Sequence, residues 1–325
     1  MNRVLIAGGS SFVGANLTKR FKRLGYKVLV IEYPEANLWR LSDLVLTIDI
    51  VLVDLDDNVK MLEIVEGFKP NIIVNTFSYG SVPDQDSISK IYKINFEGPT
   101  NLLKACKVVG FDAFLTLGSA EEYGCAEGQL SEHTLPRPTN DYGAAKAMFT
   151  TYALKHSYAQ ECPVYCLRPF SIFGDYSPED KLIGSLFLSI YYDEAITLRA
   201  AQRMRDFLYI DDLVDLILLI CQKRPQSHYL FNAGSQYCYT ILEVTKKIEA
   251  IAGKNLQIKL ADIKPMDFAP QTRFANTSLA KKVLGWTPKY TFEQGIIATK
   301  FWFDEHYSLY NREERCISSP VPSLF

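Results

Sequence analysis

The 325-residue chain has few histidines, no excess of basic residues and no long apolar run. Its four histidines do not stand at metal-ligand spacing from one another or from a cysteine pair, so we expect no metal site. The net charge of −2 argues against the basic surface that nucleic acid or an anionic membrane binds. No apolar run approaches the roughly 18 residues that a membrane helix needs. We therefore expect neither a nucleic acid nor a membrane as a partner.

Seven cysteines, an odd number, are scattered mostly through apolar segments, which is typical of reduced thiols rather than of a disulfide framework. The apolar run at the N-terminus stops at Gly8 and is too short for a signal peptide. Both features predict a cytoplasmic location. The length predicts two domains, and 48% hydrophobic residues are enough for a sizeable core.

Strand and helix patterns alternate along the first half of the chain. The apolar run 4–7 is followed by a turn of small residues, a helix that ends at Gly25 and a second strand at 27–31. Further strands are predicted within 45–53, 71–75, 113–117 and 164–167, and helices at 58–68, 88–109 and 142–160. The alternation predicts an α/β fold with a doubly wound parallel sheet of the Rossmann type.

After Arg168 this alternation is lost, which predicts a smaller, mixed C-terminal substrate lobe. We assign residues 1–170 and 206–240 to a dinucleotide-binding domain, and residues 171–205 and 241–325 to the lobe. Within the lobe, helices are expected near 240–252, 277–284 and 292–308, and the last ten residues are expected to form a loose tail. Ligands of such sheets bind beyond the carboxyl ends of the strands, so the site is expected beside the lobe.

The first strand is joined to the first helix by a glycine-rich loop, whose amides at the helix N-terminus suit a pyrophosphate. The residues expected to contact a cofactor here are Gly8, Ser10, Ser11, Phe12, Val13 and Gly14. Glu32 follows Gly14 by 18 residues, close to where a carboxylate binds the adenosine ribose. A carboxylate there would repel the extra phosphate of NADP, so NAD is favoured. The alternative is that Glu32 is a solvated loop residue.

Tyr142 and Lys146 stand four residues apart, so they share one face of a helix. An ammonium near a phenol favours the ionised phenol, which makes a general acid/base that exchanges a proton with a sugar hydroxyl. The alternative is an aromatic residue and a lysine that merely share an amphipathic helix. Ser119 lies 23 residues before Tyr142, at the end of a predicted strand.

Several motifs occur in an order typical of one enzyme family. They are the G-x-x-G-x-x-G pattern of the loop, Asn95-Phe-Glu-Gly-Pro-Thr-Asn101, Arg168-Pro-Phe-Ser-Ile-Phe-Gly174, the segment from Arg205 to Asp212, and Lys282-Val-Leu-Gly-Trp-Thr-Pro288. With Ser119, Tyr142 and Lys146 they make the chain resemble, over nearly its whole length, the extended short-chain dehydrogenase/reductase family. This family comprises nucleotide-sugar epimerases, dehydratases and reductases.

The resemblance implies a role for each matching residue. Tyr142 would be the acid/base at a sugar oxygen, Lys146 would lower the pKa of the tyrosine and bind the nicotinamide ribose, and Ser119 would hydrogen-bond the same sugar oxygen. Hydride would pass between nicotinamide C4 and sugar C4. Further cofactor contacts are implied at Asp54, Leu55, Thr76 and Pro169, and substrate contacts at Ser78, Ser171, Arg205 and Arg273. The implied partners are NAD, a nucleotide-diphosphate sugar and a second copy of the chain, with the helices 88–109 and 142–160 forming a homodimer.

The chain departs from the family pattern at four places. Ser11 replaces a glycine, Asn75-Thr-Phe-Ser78 stands where H-x-A-A is usual, Ser171 replaces an asparagine and Asn276 an aspartate. Two of these changes lie toward the substrate, so the resemblance transfers no specific substrate.

Glu121 leaves the type of reaction open. It resembles the glutamate with which sugar 4,6-dehydratases and decarboxylases move a proton, but Ser119-Ala-Glu-Glu-Tyr-Gly124 is also similar to the motif of 4-keto-6-deoxy-mannose reductases. We predict a 4-keto-sugar reductase or 4-epimerase, with a dehydratase or decarboxylase that uses Glu121 as the alternative. A non-catalytic protein that senses the cofactor is a third hypothesis, and the retention of Tyr142 and Lys146 disfavours it.

Overall fold

A computed structural model describes residues 2–81, 85–261 and 270–310. The strands are β1 (Arg3–Ala7), β2 (Lys27–Glu32), β3 (Asp49–Leu52), β4 (Ile72–Asn75), β5 (Ala113–Leu117), β6 (Gly128–Leu130), β7 (Val164–Pro169), β8 (Ser171–Phe173), β9 (Ile196–Arg199), β10 (Met204–Tyr209), β11 (Leu230–Ala233), β12 (Cys238–Thr240), β13 (Ile258–Ala261) and β14 (Thr272–Ala275). The helices are α1 (Phe12–Arg23), α2 (Asn58–Phe68), α3 (Ile88–Tyr92), α4 (Gly98–Val109), α5 (Asp141–Tyr158), α6 (Leu182–Tyr192), α7 (Ile210–Lys223), α8 (Ile241–Ala252), α9 (Ser278–Leu284) and α10 (Phe292–His306).

Seven strands form a parallel sheet in the order β11-β7-β5-β4-β1-β2-β3. Along β1, Val4 and Ile6 belong to one hydrophobic core and Leu5 and Ala7 to the other, so both faces of the strand are buried. This is why the strand is an unbroken apolar run rather than an alternating one. The predicted Rossmann-type fold is confirmed.

The chain reverses its direction of strand addition between β1 and β4. After β3 it returns from the edge of the sheet to place β4 on the other side of β1. In open α/β sheets the crevice for ligands lies at such a switch point, outside the carboxyl ends of the strands. The glycine-rich loop after β1 therefore lies where the fold leaves a binding crevice.

A smaller sheet lies beside the parallel one. Its order is β12-β10-β14-β6, and β8 pairs with β10. It takes strands from both sides of the boundaries predicted at 170, 205 and 240, because β6 and β12 come from the expected dinucleotide-binding ranges and β14 from the expected lobe. The division into two domains stays a prediction. The predicted C-terminal tail lies outside the described residues.

The helix expected at 88–109 contains a π-helical turn, Lys93–Glu97, between α3 and α4. The buried Asn95 lies in this turn, and its side-chain amide donates to the carbonyl oxygens of Tyr79 (2.6 Å) and Ile91 (2.8 Å). Inserted π turns often occur at functional sites. Here the turn fastens the segment that follows β4.

No helix within the described ranges is long and apolar enough to cross a membrane.

Candidate active site

Gly8 and Gly14 shape the loop after β1. Gly8 has a φ of +79°, and a Cβ on it would lie 2.9 Å from the side chain of Thr76. A Cβ on Gly14 would lie 2.1 Å from the carbonyl oxygen of Gly8. The loop therefore needs glycine at both ends, the first for its backbone conformation and the second for the close approach of helix to strand.

Ser11, which stands where the family has a glycine, is the N-cap of α1. Its hydroxyl donates to the carbonyl oxygen of Gly8 (2.7 Å) and accepts from the backbone N–H of Gly14 (3.1 Å). Within the part of the chain that the structure describes, no group accepts from the backbone N–H groups of Phe12 and Val13. Two free donors at the N-terminus of a 12-residue helix fit the pyrophosphate of a dinucleotide.

Glu32 is 1% exposed at the end of β2, so the alternative of a solvated loop residue is wrong. Its Oε1 accepts from the backbone N–H of Ser10 at 2.6 Å. Burial raises the pKa of Glu32 from 4.5 to about 7, against the effect of the Ser10 hydrogen bonds. The carboxylate is thus held against the glycine-rich loop, where the sequence predicted a ribose-binding group.

The other residues predicted to contact the cofactor follow strand ends around this loop. The hydroxyl oxygen of Thr76 lies 2.9 and 2.8 Å from the carbonyl oxygens of Ala7 and Gly8, so it ties β4 to the loop. The exposed carboxylate of Asp54 forms an ion pair with Lys93 (2.9 Å).

Two more predicted cofactor contacts lie nearby. Leu55 is buried, and its carbonyl oxygen accepts from Asn101 (2.9 Å). Pro169 ends β7 beside Ala233 of β11. Their contacts with a cofactor stay predictions.

Tyr142 and Lys146 lie in the first two turns of α5. The hydroxyl of Tyr142 lies 3.4 Å from Oγ of Ser78 and is also hydrogen-bonded to Ser119. Nζ of Lys146 lies 5.8 Å from the centre of the Tyr142 ring. The structure therefore brings together Ser119, Tyr142 and Lys146, three of the four residues predicted to be catalytic, and adds Ser78, which was predicted to contact substrate.

The charges of this group differ from the sequence expectation. Burial raises the pKa of Tyr142, and its hydrogen bonds to Ser78 and Ser119 only partly oppose that effect. Lys146 does not lower it in this structure, because its ammonium donates to the carbonyl oxygens of Phe77 (2.7 Å) and Leu117 (3.1 Å) instead. Burial lowers the pKa of Lys146 to about 8. At neutral pH Tyr142 is a phenol and Lys146 an ammonium.

Glu121 is engaged by cations rather than free. Its carboxylate forms an ion pair with the buried Arg273 of β14 and accepts from the side-chain amide of Asn140 (3.4 Å). Burial disfavours the charge, but the Arg273 guanidinium, helped by Arg205, holds the pKa of Glu121 below its usual value. Arg205 lies directly beside Arg273 in the register of β10 and β14.

The remaining predicted substrate contact, Ser171, begins β8 and is paired with Phe207. The sequence reasoning missed Lys181, whose Nζ donates to the carbonyl oxygen of Ser81 (2.6 Å). Burial lowers the pKa of Lys181, and the charge of Glu121 opposes that effect, so Lys181 lies near the same site. No motif marks this lysine, because it lies in an irregular segment before α6.

Sequence reasoning also missed Glu122 and Thr150. Glu122 is fully buried behind Ser119, and Thr150 lies one turn after Lys146 on the same face of α5. The second glutamate of the Ala-Glu-Glu sequence was the available signal, but only the fold shows that its side chain points inward.

Comparison with known proteins agrees with this architecture. The model of the "NAD dependent epimerase/dehydratase family" matches residues 4–234. A UDP-glucose 4-epimerase of Lactobacillus helveticus is 24% identical, and the match covers 94% of this chain and 98% of that protein. Among solved structures, the UDP-glucose 4-epimerase of Thermotoga maritima with UDP-glucose has a TM-score of 0.85 at 21% identity, covering 94% of this chain and 99% of the other.

The dTDP-glucose 4,6-dehydratase of Bacillus anthracis in complex with NAD has a TM-score of 0.84 at 23% identity, covering 95% and 98% of the two chains. Both solved structures share the fold of this chain. The chain belongs to the NAD dependent epimerase/dehydratase family, so the predicted family, enzyme class and cofactor are confirmed.

Proposed function

We propose that the protein modifies a nucleotide-diphosphate sugar by hydride transfer at sugar C4, as a 4-keto-sugar reductase or a 4-epimerase. The observation that carries this proposal is the position of the Tyr142 hydroxyl between Ser78 and Ser119, with the Lys146 ammonium behind its ring. Bound NAD supplies the hydride acceptor, and in its reduced form the hydride donor.

Tyr142 handles the proton in this proposal. Because its pKa is raised, it holds its proton at neutral pH. A phenol in that state donates to the C4 oxygen when a ketone becomes an alcohol. Ser119 and Ser78 hold the hydroxyl from two sides, and Ser119 offers a second hydrogen bond to the same sugar oxygen. This protonation state supports the reducing direction more directly than the oxidising one.

The charges beside the site suit an anionic substrate. Arg273 forms an ion pair with Glu121, and the charges of Arg205, beside Arg273, and of Lys181 also interact with that carboxylate. A diphosphate carries the opposite charge and accepts several hydrogen bonds from guanidinium groups. A related structure contains UDP-glucose, so UDP sugars are the first substrates to test.

Dehydration and decarboxylation receive less support from the same residues. A base that removes a sugar proton must present a carboxylate to the sugar. In this structure both oxygens of Glu121 are engaged, one by Arg273 and the other by Asn140. We therefore keep these reactions as outcomes of the assay rather than as the proposal.

The assay incubates the purified protein with a panel of UDP, dTDP, GDP and CDP sugars, including 4-keto sugars, with NAD⁺ or NADH. A product that is heavier by two hydrogens supports a reductase. Unchanged mass with a changed sugar NMR spectrum supports an epimerase. Loss of water or of carbon dioxide would replace the proposal by the alternative, and no conversion of any sugar would contradict it.

We also propose a homodimer through α3, α4 and α5. Their surfaces expose the apolar side chains of Ile88, Val108, Met148 and Tyr158. Sedimentation analysis of the wild type and of Val108→Glu tests this proposal. A wild-type monomer would overturn it, as would a dimer that the variant leaves intact.

A further inference from the structure

A buried carboxylate lies directly behind the catalytic group. Glu122 is 0% exposed. Its Oε1 accepts from the backbone N–H of Ser119 (3.0 Å) and from the hydroxyl of Thr150 (2.9 Å), and its Oε2 accepts from Nε of Arg168 (2.8 Å). Both oxygens of the Glu122 carboxylate therefore accept hydrogen bonds. One of these bonds holds the backbone of Ser119, the serine beside the Tyr142 hydroxyl.

Gly118 makes the space for this carboxylate. A Cβ at Gly118 would lie 2.1 Å from Oε1 of Glu122 and 3.1 Å from the hydroxyl oxygen of Thr150. Real Cβ atoms do not approach so closely, so only glycine lets Glu122 reach under the end of β5. The carboxylate is thus an integral part of this strand end.

Glu122 and Lys146 are fastened to the same short segment. Lys146 donates to the carbonyl oxygen of Leu117, and Glu122 accepts from the N–H of Ser119, two residues further on. Thr150, which donates to Glu122, follows Lys146 by one turn of α5. Glu122 therefore lies beside the face of α5 that carries Lys146. In the described ranges no carboxylate forms an ion pair with Lys146, whose ammonium contacts only carbonyl oxygens directly.

We propose that Glu122 is a positioning residue, which fixes the backbone of Ser119 and supplies the negative charge that keeps the buried ammonium of Lys146 protonated. The inference rests on the proposed function in that Ser119 and Lys146 serve catalysis through Tyr142. Glu122 itself does not touch the reacting atoms.

The charged and titratable groups around the pair set the direction of the effect. Lys146 faces Tyr142 on its own helix and Glu122 from the turn after β5, while Glu122 faces Arg168 and Cys166 of β7. Burial lowers the pKa of Lys146 to about 8, and the charge of Glu122 opposes this lowering. Without Glu122 the lysine loses its proton at a lower pH.

The test follows the titration of Lys146 by NMR in the full chain, labelled with ¹³C at the lysine Cε. The Lys146 signal is the one that Lys146→Met lacks. We expect a wild-type midpoint near pH 8. In Glu122→Gln the midpoint should fall by about one pH unit, a tenfold weaker hold on the proton, as on the loss of one nearby opposite charge.

Two variants serve as controls. Glu121→Gln removes the neighbouring carboxylate, which binds Arg273, and should leave the midpoint unchanged. Thr150→Val removes a hydrogen bond of Glu122 but keeps its charge, so it should also keep the midpoint. An unchanged midpoint in Glu122→Gln, or an equal fall in Glu121→Gln, would overturn the proposal.

Glu122→Gln leaves the buried Arg168 without its counter-charge, which can prevent folding. In that case the double variant Glu122→Gln/Arg168→Met removes both charges. The Lys146 midpoint should again fall, but by less than in Glu122→Gln, because loss of the Arg168 cation partly offsets loss of the Glu122 anion. A midpoint that does not fall would overturn the proposal. Because the titration needs neither substrate nor cofactor, its failure differs from failure of the proposed function. If the wild type turns over a sugar but the Lys146 midpoint in Glu122→Gln is unchanged, the role of Glu122 is rejected. If that midpoint falls but the wild type turns over no sugar, the proposed function is rejected.

Discussion

The loop after β1 and the turn after β5 both border the candidate site, but different interactions shape them. The first depends on backbone shape: Gly8 has a positive φ, and no described residue accepts from the N–H groups of Phe12 and Val13. The second depends on charge, because Glu121 is bound by Arg273 and Glu122 by Arg168. Under the proposed function, the backbone of the loop would hold the part that all dinucleotides share, whereas paired charges can be rearranged for different sugars.

Among the residues near the turn after β5, we expect the largest effect on turnover from Tyr142→Phe. It removes the proton donor while the ring still fills its place beside Lys146. Turnover of the substrate found by the panel assay should fall by about 10²- to 10⁴-fold, with NAD binding retained. Tyr237→Phe, at an exposed position outside this helix, is the control that should keep activity. Retained turnover in Tyr142→Phe would reject the catalytic assignment.

A pH experiment tests the buried carboxyl group of Glu32 beside the glycine-rich loop. The pKa of Glu32 is about 7 in the folded protein and 4.5 when the side chain is exposed to water, as in the unfolded chain. Between pH 4.5 and about 7, the folded protein therefore holds a proton that the unfolded chain has released. The free energy of unfolding should therefore fall as pH rises from about 4.5 to about 7, by up to about 3 kcal/mol.

The Glu32→Gln variant lacks this group and should show a flatter dependence in urea unfolding at pH 5 and pH 8. The exposed Glu35→Gln should keep the wild-type slope. An equal change in the free energy of unfolding between pH 5 and pH 8 in the wild type and both variants would show that Glu32 titrates normally.

Gly14→Ala tests the backbone side of the comparison. The new Cβ would lie 2.1 Å from the carbonyl oxygen of Gly8, so the loop must shift. We expect a loss of about 2 kcal/mol in stability, as for overpacking, and weaker NAD binding by calorimetry. Gly67→Ala is the matched control, because nothing lies within 4 Å of its Cβ in α2. It should raise stability by up to about 1 kcal/mol.

The smallest expected effect is that of Glu121→Gln. If Glu121 only balances the buried Arg273, turnover by a reductase or epimerase should change by less than about tenfold, because the variant then loses one ion pair and no proton transfer. The exposed Glu66→Gln is the control for loss of one carboxylate. A loss as large as that of Tyr142→Phe would make Glu121 a catalytic acid/base and favour dehydration or decarboxylation.

The parallel sheet was predictable because its signals are local. The apolar run of β1, the small-residue turn and the helix ending near Gly25 each follow from a few neighbouring residues. The small sheet was not predictable in the same way. β6 pairs with β14, more than one hundred residues later, and short strands of three or four residues carry little pattern of their own.

The shared helix face of Tyr142 and Lys146 was predictable, but the electrostatics around these two residues were not. Spacing placed Tyr142 and Lys146 on one helix face, and the structure agrees. Spacing could not show that the ammonium of Lys146 is turned to carbonyl oxygens of two other strand ends. In the same way, Arg273 reaches Glu121 across 152 positions of sequence, so only the folded chain shows the pair.

Asn140 joins two functions in one side chain. Its Oδ1 accepts from the backbone N–H of Gly143 (2.7 Å) and so begins α5, while its Nδ2 donates to Glu121 (3.4 Å). An evolving lineage that alters residue 121 to change the chemistry also disturbs the cap of the helix that carries Tyr142. We therefore expect positions 121 and 140 to covary among relatives, so that new activities arise by paired rather than single substitutions.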